Sequence, residues 1–290
     1  MIESEIKAFA QKLQREDESH KYDYGHVLVI AGSKYMPGAG VLCCQSVLRT
    51  GAGLVTYGVL EDFLPTACAM SKPETLFFAY KNAQDILDYA GKRKVSALII
   101  GPGLIESLQT ADLIVEIISN TPLPVVIDAS GLSSFANHSD RLRNVKAKLI
   151  LTPHEGEFAR LINLPIAQIK ADGHILAAQF AKENNLVLVL KRHKTIVTNG
   201  QDEYINSSGL PAMATAGSGD VLSGIIAAFC ATKRAAKAEN LQKELFEAAK
   251  FGVWVHGLAG EKAAEDKWNG LIASDIVESI PYILKRNFYG

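Results

Sequence analysis

The sequence predicts an α/β fold: a central, mostly parallel sheet flanked by helices on both faces, in three αβα layers. Three observations carry that expectation. Short, almost unbroken apolar runs recur along the chain, among them His26-Val-Leu-Val-Ile-Ala31, Ser96-Ala-Leu-Ile-Ile100 and Leu186-Val-Leu-Val-Leu190. Such runs suit strands buried on both faces. Each leads into a glycine-rich or polar loop, and most loops into a segment of helical character, the strand–loop–helix rhythm of a doubly wound sheet. Finally, Ala39, Gly103, Asp128, His154, Lys191 and Asp220 all fall just after strands or in the loops that follow them. Ligands bind at those carboxyl ends in open α/β sheets.

Taken in order, residues 1–20 read as a short amphipathic helical extension closing in the charged turn Arg15–His20. After the loop Lys21–Gly25, His26–Ala31 is the first strand. Gly32–Gly40 is a loop of small residues and Val41–Thr50 a helix. Leu54–Val59 is a second strand; Ser96–Ile100, a third, ends in Gly101-Pro-Gly103, and Thr110–Ser119 is helical. Leu123–Asp128 and Lys148–Thr152 are the fourth and fifth strands, the latter running into Pro153-His-Glu-Gly-Glu157 and a short helix. A helix over Ile175–Asn184 precedes the sixth strand, Leu186–Leu190. Thr195–Thr198 and Glu203–Ile205 form an antiparallel edge, and helices cover Val221–Phe229, Leu241–Gly260 and Ser274–Leu284. No repeat or linker divides the chain, so residues 1–290 are read as one domain.

Composition narrows the function. With 48% hydrophobic and 21% charged residues, the 290-residue chain can bury a large core. Thirty Lys and Arg against 31 Asp and Glu give no electrostatic case for a nucleic-acid or membrane partner. Cys43, Cys44, Cys68 and Cys230 lack metal-ligand spacing and read as buried thiols of a reducing cytoplasm. The start of the chain has no apolar signal core, and no apolar run reaches the roughly 18 residues a membrane span needs.

The strongest chemical segment is Ala214-Thr-Ala-Gly-Ser-Gly-Asp220, which opens the helix from Val221. A glycine-rich helix start leaves N–H groups free and adds the positive end of the dipole, a site for an anion. Asp220 is either an N-cap of that helix or a base that takes a proton beside the anion. Thr152–Glu157 places His154 and two acids at a helix start, where ordinary first-turn chemistry explains the acids equally well. His154 is no zinc ligand by pattern, since Phe158 stands where HExxH needs its second histidine. It is read instead as a pocket-facing donor. Lys191-Arg-His-Lys194 is a basic strand-end turn that suits phosphates if it lies beside the anion site. His26 and His256 read as core or interface histidines; His20, His138 and His174 read as surface residues. There is no GxxxxGK[ST] loop, and Pro37-Gly-Ala-Gly40 reaches Cys43 where a dinucleotide fingerprint needs glycine.

The segments Asp23-Tyr-Gly-His-Val-Leu-Val-Ile-Ala-Gly-Ser33, Gly101-Pro-Gly103, Leu151–Glu157 and Ala214–Asp220 together resemble the NAD(P)H-hydrate dehydratases of the ribokinase-like superfamily. The likeness runs from about Lys21 to the last helices. The short stretch before it resembles the stand-alone form, without the epimerase domain that many members carry. The resemblance implies repair of hydrated NADH and NADPH. The S epimer is dehydrated at the expense of ADP, giving AMP and phosphate, or of ATP, giving ADP. It implies Asp220 as general base and substrate contact, with Ala39, Gly103 and His154 lining the hydrate pocket. Backbone N–H groups of Ala216, Gly217, Ser218 and Gly219 would form the anion hole. Lys191, Arg192, His193, Lys194, Thr195 and Gly219 would hold the adenine nucleotide, with Glu157 organising Mg2+ through water. A separate epimerase as functional partner and a homo-oligomer, a tetramer, are implied as well. Ala216, Ser218 and Arg192 depart from the residues usual at their positions. The alternative within the superfamily is a kinase of a small vitamin-precursor alcohol, which uses the same hole and base.

Overall fold

A computed structural model describes residues 3–232 and 240–289; Met1 and Ile2 of the expected N-terminal helix lie outside them. One nine-stranded sheet forms the centre. The strands are β1 (His26–Ile30), β2 (Leu54–Leu60), β3 (Leu76–Tyr80), β4 (Ala97–Ile100), β5 (Pro124–Ile127), β6 (Lys148–Leu151), β7 (Val187–Leu190), β8 (Ile196–Thr198) and β9 (Glu203–Ile205). Their order is β3-β2-β1-β4-β5-β6-β7-β8-β9, parallel up to β7 and antiparallel for β8 and β9.

The sheet is apolar on both faces, and alternation along each strand divides it between two cores. Val27 and Val29 of β1 enter one, Leu28 and Ile30 the other. The first core takes α1 (Glu3–Leu13), α2 (Pro37–Thr50), α3 (Leu64–Met70), α9 (Ser218–Cys230), α10 (Leu241–Ala264) and α11 (Ala273–Leu284). The second takes α4 (Ala83–Lys92), α5 (Leu108–Asn120), α6 (Ser130–Ser133), α7 (Glu155–Leu161) and α8 (Ile166–Asn184). Each fully buried Val, Leu or Ile contributes about 1.5–3 kcal/mol, so these faces drive the layering. The α1 helix docks on α10 by stacking Phe9 on Phe251, centroids 4.0 Å apart, and by pairing Lys12 with Glu244 at 2.6 Å. Among the described residues no helix is long and apolar enough to cross a membrane.

Several elements differ from the sequence reading. The stretch between β2 and β4 holds β3, α3 and α4, none of them anticipated. The signal for β3 was present in Leu76-Phe-Phe-Ala-Tyr80, a short aromatic run, but it is the edge strand and only half-buried. The α1 helix stops at Leu13, ahead of the charged turn. The α2 helix starts at Pro37 rather than Val41: proline suits a first turn, and the glycines that disguise it serve packing. A Cβ on Gly40 would lie 2.2 Å from the Tyr57 ring. The α8 helix begins at Ile166 and bends at Asp172 (φ −116°, ψ 17°). The small residues late in α10 pack within the chain, Gly257 against Ser208 and Gly260 against Met213. Cys68 is exposed, against expectation, because it sits on the outer side of α3; Cys43, Cys44 and Cys230 are buried.

Strand order reverses between β1 and β4. The connections from their carboxyl ends leave in opposite directions and open a crevice, the usual ligand position in such sheets. Its walls touch: Gly32 N–H donates to Pro102 O at 2.7 Å. Gly103 (φ 68°) has room for no side chain, since a Cβ there would lie 2.9 Å from the Ala39 methyl. The two small residues expected to line one pocket therefore do meet at this switch point.

Candidate active site

The α9 helix starts from Gly217, whose φ of 86° is left-handed and whose missing side chain leaves space for Leu42. Gly217 is the N-cap, and Asp220 is the third residue inside the helix. The cap reading of Asp220 thereby fails, and its carboxylate is left for other work. Ser218 N–H donates to Thr215 O at 3.3 Å. No group among the described residues accepts from the N–H of Ala216, Gly217, Gly219 or Asp220. Three of the four expected members of the anion hole thus keep free donors at the positive end of an apolar helix, and the N–H of Asp220 joins them.

Beneath this turn lies a charge cluster. Asp128 ends β5 and is 1% exposed. One of its oxygens accepts from Lys191 Nζ at 2.7 Å and the other from Ser223 Oγ at 2.8 Å. Burial opposes the Lys191 ammonium, but the Asp128, Glu157 and Asp220 carboxylates outweigh it and hold its pKa above the ordinary lysine value. Burial and the Asp128 carboxylate together push the Asp220 carboxyl up to about 7, against the pull of Lys191. A carboxyl poised there is suited to take a proton near neutral pH. On the α2 side, Cys43 Sγ donates to the Asp220 backbone carbonyl at 3.3 Å.

Next to the helix start is a cavity of about 650 Å³. Lys191, Arg192, His193, Lys194, Thr195 and Gly219, expected at the nucleotide, all line it, together with His154. The β6–β7 ladder runs on past both strands: Lys191 N–H donates to Pro153 O at 2.8 Å, and His154 and Lys191 form a parallel bridge. That pairing sets His154 beside the basic turn. His154 caps α7, its Nδ1 accepting from Gly156 N–H (3.0 Å) and Glu157 N–H (3.2 Å). The neutral ring must then carry its proton on Nε2, which lies 3.6 Å from Glu157 Oε1. Arg192 is turned aside, its Nε 3.3 Å from Glu155 and its guanidinium donating to Lys170 O.

Glu157 is buried, and its Oε2 accepts from His154 N–H at 2.8 Å. Among the described residues no group of three or more His, Cys, Asp or Glu could hold a metal ion.

Sequence reading undervalued three parts of the site. Asp128 was noted as a strand-end acid but given no role, because its partners Lys191 and Ser223 are distant in sequence. His256 was taken for a core or interface residue. It is half-buried on the cavity wall, with Nε2 3.2 Å from Ser218 Oγ; burial, helped by Lys191 and opposed by Ser218, pushes its pKa down to about 4. The segment from Asn206 to Met213 forms the opposite wall, tied down where Asn206 donates to Val253 O and Gly209 N–H to Glu261. His26, by contrast, is the expected core histidine, bonded to Thr56 at 2.8 Å.

Comparison with known proteins bears on the family and the fold. The family model described as NAD(P)H-hydrate dehydratase matches residues 27–282. A bifunctional NAD(P)H-hydrate repair enzyme of Moorella thermoacetica is 38% identical over 96% of this chain, which spans only 52% of that relative's length. An ADP-dependent (S)-NAD(P)H-hydrate dehydratase of Neisseria meningitidis is 33% identical over 94% of the chain and 89% of its own. Among solved structures, the ADP/ATP-dependent NAD(P)H-hydrate dehydratase of Bacillus subtilis, co-crystallised with ATP and Mg2+, superposes with a TM-score of 0.81 at 26% identity, covering 99% of this chain and 97% of that one. The free donors of Ala216–Asp220, the raised carboxyl of Asp220 and the neighbouring cavity are thus set in a ribokinase-like fold, and the chain belongs to the NAD(P)H-hydrate dehydratase family.

Proposed function

We propose that this protein dehydrates the S epimer of hydrated NADH and NADPH, restoring the reduced cofactors, with hydrolysis of ADP to AMP and phosphate, or of ATP to ADP, as the driving reaction. The observation that carries the reading is a carboxyl with a pKa near 7 beside open N–H donors, between a nucleotide-sized cavity and the β1/β4 crevice. Asp220 takes the proton of the hydrate hydroxyl. The freed oxygen attacks the terminal phosphoryl group, whose O–P bond to the rest of the nucleotide breaks. Free N–H groups at the start of α9 hold the charge on the transferring group. The phosphorylated oxygen then leaves as phosphate, with loss of a proton from the adjoining ring carbon. Lys191 and Lys194 neutralise nucleotide phosphates, and His154 Nε2–H donates to the hydrate above Ala39 and Gly103. Mg2+, when bound, neutralises phosphoryl charge, with Glu157 as the carboxylate that reaches its water shell.

The same proposal takes residues 1–290 as one catalytic domain acting in the cytoplasm as a homo-oligomer, a tetramer, with an epimerase supplying the S epimer. Exposed Tyr35, Ile105 and Leu108 beside the crevice support an association surface. The vitamin-precursor kinase reading shares the hole and the base, and the family match favours the dehydratase.

Incubation with hydrated NADH, Mg2+ and ADP or ATP should restore near-ultraviolet NADH absorbance. No recovery with either nucleotide overturns the reading. His154→Ala should raise the hydrate KM about tenfold, the worth of one hydrogen bond, and leave nucleotide affinity within about twofold. Equal losses for both ligands would remove His154 from the hydrate pocket.

A further inference from the structure

Asp128 is almost fully buried, and both of its oxygens have fixed partners, Lys191 Nζ and Ser223 Oγ. Its backbone is equally fixed. Asp128 O accepts from Gly131 N–H at 3.0 Å, and a Cβ on Gly101 would lie 2.1 Å from that carbonyl. Ala129 follows at φ 49°, ψ −124°, a conformation costly for an L-residue and held here by the surrounding turn. Ser223 lies three residues after Asp220, so both face the same side of α9. The Lys191 ammonium is a neighbour of Gly219, 3.3 Å from where its Cβ would stand, and it also lines the nucleotide cavity. A partly buried ammonium under the attraction of two carboxylates pairs with one of them, here Asp128. Had it paired with Asp220, the proposed base would be locked as an ion and drawn off its substrate.

We propose that Asp128 is a positioning residue that claims the Lys191 ammonium, holding it at the seam between the nucleotide cavity and Asp220 and thereby leaving the Asp220 carboxylate unpaired for proton transfer. This rests on the reading of Asp220 as the base. The groups facing Asp220 are Asp128 from the end of β5, Lys191 from the end of β7, the Cys43 thiol of α2 and the Tyr57 phenol of β2. Burial pushes the last two up, so they stay neutral around pH 7. Among the described residues, Asp128 and Lys191 then bring charge to bear, with opposite signs.

The test follows the Asp220 carboxyl by 13C NMR of aspartate-labelled protein across pH, its signal assigned by loss in Asp220→Asn, with no ligand present. In Asp128→Asn the repelling carboxylate is gone and Lys191 is released toward Asp220, so the midpoint should fall by about one pH unit or more. In Lys191→Met the attracting charge is gone and the midpoint should rise. The acidic limb of kcat/KM should move the same way in each variant. In Asp128→Asn, kcat should fall by about 10-fold or more with nucleotide affinity changed less than about threefold. If Asp128→Asn does not fold, Lys191→Met alone decides, and an unchanged or lowered midpoint overturns the proposal. An unchanged midpoint in folded Asp128→Asn also overturns it. Failure of the wild type to regenerate NADH would instead overturn the dehydratase reading, leaving the NMR result to stand by itself.

Discussion

Asp220→Asn should lose turnover by about 10²–10⁴-fold while binding nucleotide normally, and it should unfold less readily than the wild type at pH 8. The two effects have one cause. Burial and Asp128 raise the Asp220 carboxyl from 3.8 to about 7, so the folded protein prefers the protonated form. A carboxyl raised in this way gives its full contribution to stability below its unfolded pKa, and the contribution is lost as pH rises through the folded pKa. Above about pH 7 the carboxylate is a net cost to folding. The unscreened shift corresponds to about 4 kcal/mol; partial exposure cuts this, and about 1–2 kcal/mol of stabilisation by asparagine is expected at pH 8, fading by pH 4. Single-turnover kinetics and denaturant unfolding at both pH values check the pair. Full activity in the variant would remove Asp220 from the chemistry. Destabilisation at both pH values would contradict the electrostatic account.

Gly224→Val should strongly destabilise the fold. Gly224 lies one turn beyond Asp220 where α9 crosses α2. A Cβ there would sit 1.8 Å from Ser46 Oγ and 2.6 Å from Cys43 O. The hydroxyl could turn away, but the carbonyl belongs to the α2 backbone and cannot. Valine adds two methyl groups to that clash, and a loss of about 3 kcal/mol or more is expected, the upper end of overpacking costs. Gly91→Ala is the control: it lies in the last turn of α4 with nothing within 4 Å of a new Cβ, and should gain about 0.5–1 kcal/mol from helix propensity. Urea midpoints compare the variants. Near-wild-type stability of Gly224→Val would mean that the helices separate more easily than their contact implies.

The two cases mark what the amino acids alone disclose. The sheet was legible because β1, β4 and β7 are buried on both faces and read as unbroken apolar runs. The α2 helix was misjudged at its start because Gly38 and Gly40 hide a helical pattern, although Pro37 marks its first turn. The basic turn Lys191–Thr195 and the helix start at Gly217 were legible as local motifs with local physics. Asp128 and His256 were not, because what distinguishes them is burial beside partners far along the chain: Lys191, 63 residues on, for the first, and Ser218, 38 residues back, for the second. Motif reading finds residues whose chemistry depends on the next turn of chain. Residues whose chemistry is set by packing emerge only when the strands are laid side by side.

His154 and Lys191 stand at the ends of neighbouring parallel strands, bridged to each other. Strands in a sheet lie about 4.8 Å apart, little more than the width of a phosphoryl group. On the proposed reading, the residue that meets the hydrate and the turn that meets the nucleotide lie one strand apart on the wall of one cavity. The group in transit then has no distance to cover and no side chain on which to wait. On that reading both ligands must be resident at once, and turnover requires a complex of the protein with the two together.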